Sequence, residues 1–178
     1  MFLTQRAQRT QRESAGTKAR PLQRRTKAYK GGMLVSETIV LAPNAENKCF
    51  GCGGAADAGM LLTFVQDNLA RKITGKFVLG ARYQGGGGMV HGGIIAMVLD
   101  EAMGKVCRFR AAQAVTADMH IDYLRPIRVD QEIFVEAFET AQVGRNLFQM
   151  CEIRDAAGQV LARGRARFVV LGTKEKAG

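Results

Sequence analysis

The sequence predicts an α+β domain in which a curved antiparallel sheet wraps around one central long helix. Three observations point there. The run IIAMVLDEAMGKV at 94–106 is apolar on nearly every side, as a helix buried all round must be. Six stretches with strand character surround it, and the connections after it are too short for parallel crossovers. A helix of that kind and a sheet with one apolar face each need covering, and each covers the other.

In chain order, Met60 to Val65 (MLLTFV) and Ala70 to Leu79 (ARKITGKFVL) read as two strands joined around Asp67-Asn68. Gly85 to Gly88 then breaks regular structure ahead of the helix. Val115 to Tyr123 shows the cleanest alternation in the chain. Val115, Ala117, Met119, Ile121 and Tyr123 fall on one face; Thr116, Asp118, His120 and Asp122 fall on the other. Arg125-Pro126 ends it. Glu132 to Thr140, Leu147 to Arg154 and Val160 to Leu171 follow, with Asp155 to Gly158 supplying hairpin chemistry between the last two. The order is strand, strand, buried helix, then four strands in a meander.

The 178 residues are 47% hydrophobic, which excludes a wholly disordered chain, and no apolar run approaches the ~20 residues of a membrane span. Charge is unevenly placed. Residues 1–30 hold nine of the 26 Lys and Arg but one of the 16 acids, so most of the net +10 sits there. We therefore divide the chain into a basic, disordered tail at 1–32 and a folded domain at 33–178. The tail reads as a solvated extension or as non-native sequence ahead of Met33, rather than as a transit peptide or a nucleic-acid contact. Met1-Phe2-Leu3-Thr4 runs into charge without an apolar core, so no secretory signal is expected. The four Cys are then expected as reduced thiols in a cytoplasmic protein.

Chemistry concentrates in YQGGGGMVHGGIIAMVLDEAMG at 83–104. Glycines before a helix let a ligand approach the backbone, and the first turn leaves N–H groups that favour a carbonyl oxygen or an oxyanion. Inside the helix, Asp100 sits among Val98, Leu99, Ala102 and Met103, where a carboxylate is costly unless paired or in use. His91 and Asp100 are nine residues apart, on opposite helix faces and ~13.5 Å apart along the axis. One chain does not aim both ends of this helix at one atom. Two antiparallel copies do, so a dimer with shared sites is expected.

The run VHGGIIAMVLDEAMG resembles that of hotdog-fold acyl-CoA thioesterases of the phenylacetate-degradation (PaaI-like) type. CFGCG at 49–53, GMLLTF at 59–64 and TADMHIDYLRPI at 116–127 support the resemblance, which covers roughly 48–171. It implies a hotdog fold, a homodimer or homotetramer, and hydrolysis of acyl-CoA. By position it implies Asp100 as general base or nucleophile, and Gly92 as the backbone donor to the thioester carbonyl, with Gly93 behind it. It also implies His91 in a positional role and Thr116 as a hydroxyl holding water or the acid. Where some relatives have Asn this chain has Gly85, and Gln84 beside it is the substitute ligand.

Blander roles are expected for other residues. Glu101 pairs with Lys105 on the helix surface, and His120 is solvated. Arg125 and Arg128 are candidates for CoA phosphates. Cys49-x-x-Cys52 has the spacing of half a zinc site, but Cys107 and Cys151 stand alone, so neither metal nor cofactor is expected. Gly85 to Gly88 fits no nucleotide loop. The function expected is an acyl-CoA thioesterase. The alternatives are a non-catalytic acyl-CoA sensor with a DNA-contacting tail, and a hotdog hydratase, which would need a His paired with a carboxylate.

Overall fold

The computed structural model describes residues 38–173; the basic segment 1–32 lies outside them. Seven strands and one long helix make up the fold. The strands are β1 (Thr38–Leu41), β2 (Phe64–Asp67), β3 (Lys72–Val78), β4 (Ala112–Tyr123), β5 (Glu132–Val143), β6 (Asn146–Arg154) and β7 (Val160–Thr173). The helix, α1 (Gly92–Val106), enters the chain between β3 and β4. All seven strands form one antiparallel sheet in the order β1-β2-β3-β5-β6-β7-β4, and α1 packs against β3 through β7. This is the hotdog fold, the sheet curled around the helix.

The helix is as apolar in its setting as in its sequence. Ile95, Val98, Leu99, Ala102, Met103 and Val106 are buried, and no residue from Ile94 to Cys107 is exposed. Phe64, Ile73, Ile127, Ile133, Leu147 and Ile153 close over it from the sheet and its connections. Asp67 Oδ1 accepts from the amides of Leu69 and Ala70, which turns β2 into β3. Asp155 does the same before β7, and Gly158 takes the positive φ (80°) that the hairpin needs.

Three expectations are corrected. The last four strands are not a meander: β5, β6 and β7 are, but β4 lies beyond β7, and β3 takes the place beside β5. The reason is the eight-residue link 124–131, which holds Pro126 and buried Ile127 and crosses the end of the sheet instead of turning. Met60 to Thr63 precede strand β2 rather than opening it, and the short strand β1 is additional.

The third correction concerns the phase of β4. A bulge at Ala117 pairs Thr116 with Phe168 and Asp118 with Arg167. Phe168, Ala166 and Ala162 are buried on the inner face, so Thr116, Met119, Ile121 and Tyr123 all face inward. Thr116 thus lies on the face opposite to that given by strict alternation. On the outer face, Arg165 and Arg167 pair with Asp122 and Asp118.

Candidate active site

The first turn of α1 is accounted for donor by donor. His91 is the N-cap: its Nδ1 accepts from Gly93 N–H at 2.9 Å, and its carbonyl accepts from Ile94 and Ile95. Gly92 N–H is left without a partner among the described residues. Tyr123, from inward-facing β4, donates its hydroxyl to the Gly92 carbonyl at 3.0 Å and buttresses the turn. The glycine loop closes back on itself, with Gly85 N–H donating to Met89 O and an antiparallel bridge between Gln84 and Val90. That bridge carries Gln84 to the same end of the helix, with its side chain exposed.

Two turns further on, Asp100 accepts the Thr116 hydroxyl at 2.7 Å. The bulge at Ala117 makes this contact possible, since without it Thr116 would face solvent. The half-buried Asp100 carboxylate opens onto a cleft of about 960 Å³. Ile39, Val40 and Leu171 give one apolar wall, and Cys52, Glu101 and Lys105 give a polar one. The volume lies at the upper end of the roughly 300–1,000 Å³ typical of ligand pockets.

The chain therefore brings Asp100 to Thr116, and His91, Gly93, Gln84 and Gly92 to one another. It does not bring the two groups together: Gly92 and Asp100 are eight residues apart, about 12 Å along the helix. Arg125 lies near Tyr123 and the Gly92 end; its Nη1 donates to Val160 O at 3.4 Å and the side chain is exposed. Arg128 is also exposed and bridges Met89 through its backbone. His120 is exposed and pairs with Asp122 at 3.0 Å. Neither histidine touches Asp100, and the His120–Asp122 pair lies on the outer face of β4, outside the cleft.

Glu101 pairs with Lys105 at 3.5 Å as its spacing predicts, but not on the surface, because both side chains are only 16% exposed. They face the loop 44–60, where Cys49 Sγ donates to Glu101 Oε1 at 3.0 Å. Burial, reinforced by the Glu101 carboxylate, pushes the Cys52 thiol up to about 12, with Lys105 acting the other way. Spacing within the helix identified the Glu101–Lys105 pair. Nothing local indicated that a loop fifty residues upstream would lie against it. Tyr123 was likewise legible as an inward strand residue but not as a contact of the helix entry.

The sheet wrapped on its helix defines a hotdog domain. Residues 87–170 match the family model described as thioesterase superfamily. The rat acyl-coenzyme A thioesterase THEM4 is 34% identical over 91 residues, which is 51% of this chain and 39% of the rat protein. The chain thus spans well under half the length of that relative. A solved thioesterase superfamily protein superposes with a TM-score of 0.64 at 24% identity, covering 68% of this chain and 60% of that one. The Escherichia coli PaaI protein from the phenylacetic acid degradation operon gives 0.56 at 21% identity, over 58% and 75% of the two chains. A Streptococcus pneumoniae hypothetical thioesterase solved with coenzyme A gives 0.57 at 17% identity, over 58% and 84%. The Streptococcus pneumoniae protein has also been solved as two alanine variants, one at an aspartate and one at a threonine 16 positions later. The same interval separates Asp100 from Thr116.

Proposed function

We propose that this protein hydrolyses acyl-CoA thioesters to a free acid and CoA, using Asp100 from one subunit and the Gly92 N–H of another. The observation that carries the reading is the division of one helix into two incomplete half-sites: an unpartnered amide at Gly92, and an aspartate held by Thr116 in an open cleft. The names of the THEM4 relatives and the coenzyme A in the pneumococcal structure support the substrate class. The paired alanine variants of that protein support the Asp–Thr unit.

Strand β4 supports the dimer. It pairs only with β7 in the described sheet, leaving its other edge open over twelve residues, with Val115, Tyr123 and Leu124 exposed. Such an edge is a template for a second strand. Two copies of β4, paired antiparallel about a two-fold axis at His120 with Ala117 bulged on both strands, set Thr116 opposite the partner's Tyr123. Thr116 carries Asp100 and Tyr123 carries Gly92, so the two helix ends meet.

The thioester carbonyl oxygen then lies on the Gly92 amide, where the helix dipole favours developing negative charge. Water attacks the carbonyl carbon and gives its proton to Asp100; the C–S bond breaks and the CoA sulfur takes a proton as it leaves. Asp100 acting directly as nucleophile needs the same two half-sites. Gln84 and Arg125 frame the glycine end as binding groups, and His91 and Gly93 hold the turn in place. A dimer suffices for this geometry, and a dimer of dimers leaves it unchanged.

Thiol release from short, medium, long and aromatic acyl-CoAs tests the reading. Asp100→Asn should lose at least ~10³ in kcat with its secondary structure and oligomeric state intact. Near-wild-type turnover by that variant on the best substrate removes Asp100 from the chemistry.

A further inference from the structure

The loop at 44–60 and helix α1 bring three soft or anionic donors together at the wall of the Asp100 cleft, apart from the Asp100–Thr116 pair. The Sγ atoms of Cys49 and Cys52 and a carboxylate oxygen of Glu101 all lie within 4.8 Å of one another, and all three residues are half-buried. From these we infer that Cys49, Cys52 and Glu101 form a binding site for a thiophilic divalent cation of the Zn²⁺ type.

The backbone is already folded for it. Cys49 N–H donates to Asn47 Oδ1 at 2.9 Å, and Gly53 N–H donates to Cys49 O at 2.8 Å, so Cys49 to Gly53 forms a closed knuckle. The two glycines of CFGCG have distinct reasons to be there. A Cβ on Gly53 would stand 2.2 Å from Asn47 O and 2.6 Å from the Cys49 backbone, so only glycine closes the turn. A Cβ on Gly51 would stand 2.6–2.7 Å from Glu101 Cγ, Cδ and Oε1, so glycine is what lets the carboxylate reach in between the thiols.

The donor set suits the ion. Zn–S bonds of about 2.3 Å at tetrahedral angles place two sulfurs about 3.8 Å apart, so closing the site needs shifts of at most about 1 Å. Glu101 divides its oxygens: Oε1 faces Cys49 at 3.0 Å, and Oε2 faces Lys105 Nζ at 3.5 Å. Lys105 therefore orients the carboxylate without occupying the ligand oxygen. Two thiolates and a carboxylate beside one ammonium leave two negative charges for a divalent cation to neutralise. Cys52 also lines the cleft, so a fourth position is reachable by water. Loop and helix donors held by one ion would lock residues 44–60 against α1, next to Asp100. The two-cysteine spacing alone lacked this; the third ligand comes from the helix, 49 positions after Cys52.

The test uses the full-length, reduced protein after chelation, titrated with Co²⁺ as optical probe and then with Zn²⁺. One equivalent of Co²⁺ should give a thiolate charge-transfer band with the d–d bands of a four-coordinate site. Zn²⁺ should bleach both and raise Tm. Cys49→Ser and Cys52→Ser should each lose about half the charge-transfer intensity. Glu101→Gln should keep the band but bind at least ~10-fold more weakly. Circular dichroism reports whether the variants fold. If they do not, Zn²⁺ protection of Cys49 and Cys52 from maleimide, located by mass spectrometry in the unmutated protein, decides. No charge-transfer band in the reduced protein, the same band in the Cys49→Ser/Cys52→Ser double variant, or no Zn²⁺ protection of these thiols overturns the site. Hydrolysis by Asp100 does not depend on the outcome.

Discussion

At the scale of single residues, the proposed chemistry rests on a hydroxyl and a carboxylate 2.7 Å apart. Thr116 is exposed enough that packing does not explain it, and its hydroxyl is spent on Asp100. A hydrogen bond to a charged group is worth about 1.5–3 kcal/mol, a factor of roughly 10 to 100. Thr116→Val keeps the shape and removes the donor, so kcat for acyl-CoA should fall by about 10- to 100-fold with KM little changed. Thr116→Ser restores the donor and should return most of the rate. Equal losses in both variants would mean that the methyl group, not the hydroxyl, matters. His91 shows the opposite case, a residue whose chemistry is exhausted by structure. Its Nδ1 caps the helix on Gly93, and the cap leaves Gly92 N–H as the one donor of the turn still free to meet a substrate.

At the scale of elements, the bulge in β4 decides which residues belong to the site. Deleting Ala117 removes the extra residue, and the strand must then flip either Thr116 or the Met119–Tyr123 segment to the outer face. The deletion variant should fold with lower Tm and lose at least as much kcat as Thr116→Val, since either flip breaks a contact to α1. Unchanged turnover would show that the bulge has no part in the site. This element also marks where the sequence stops being readable. Helix α1 was legible because its residues are apolar in every direction, and β6 and β7 were legible because Asp155 to Gly158 punctuates them. The bulge was not, because a strand of alternating character looks the same with one residue inserted, and only pairing with Phe168 and Arg167 reveals it. The placement of β4 beside β7 was hidden for a related reason. It depends on the crossing of 124–131 rather than on any local turn. Asp100, Gly92 and Thr116 could be named from the sequence as candidates, but the Cys49–Glu101 contact, 52 positions apart, has no sequence signature.

At the scale of the whole molecule, the proposal turns on Gly92 and Asp100 lying about 12 Å apart along a single helix. Chain motion cannot bring them together, because both are fixed to α1. A second copy can, and the open edge of β4 supplies the surface. The shared site makes a prediction that single variants do not. Gly92 is the first helical residue and His91 before it is extended (φ −62°, ψ 136°), the arrangement that accepts proline at the next position. A Cβ at Gly92 meets only ordinary contacts at 3.6 Å to Tyr123. Gly92→Pro therefore deletes the N–H donor while leaving the helix start intact, and should be inactive alone, as should Asp100→Asn. Unfolded and refolded together in equal amounts, the two variants should form about half mixed dimers. Each mixed dimer holds one site with both groups intact and one with neither, so the mixture should recover about a quarter of wild-type activity. If each site were built within one chain, no pairing of subunits would reunite a good amide with a good aspartate, and the refolded mixture would stay as inactive as its parts.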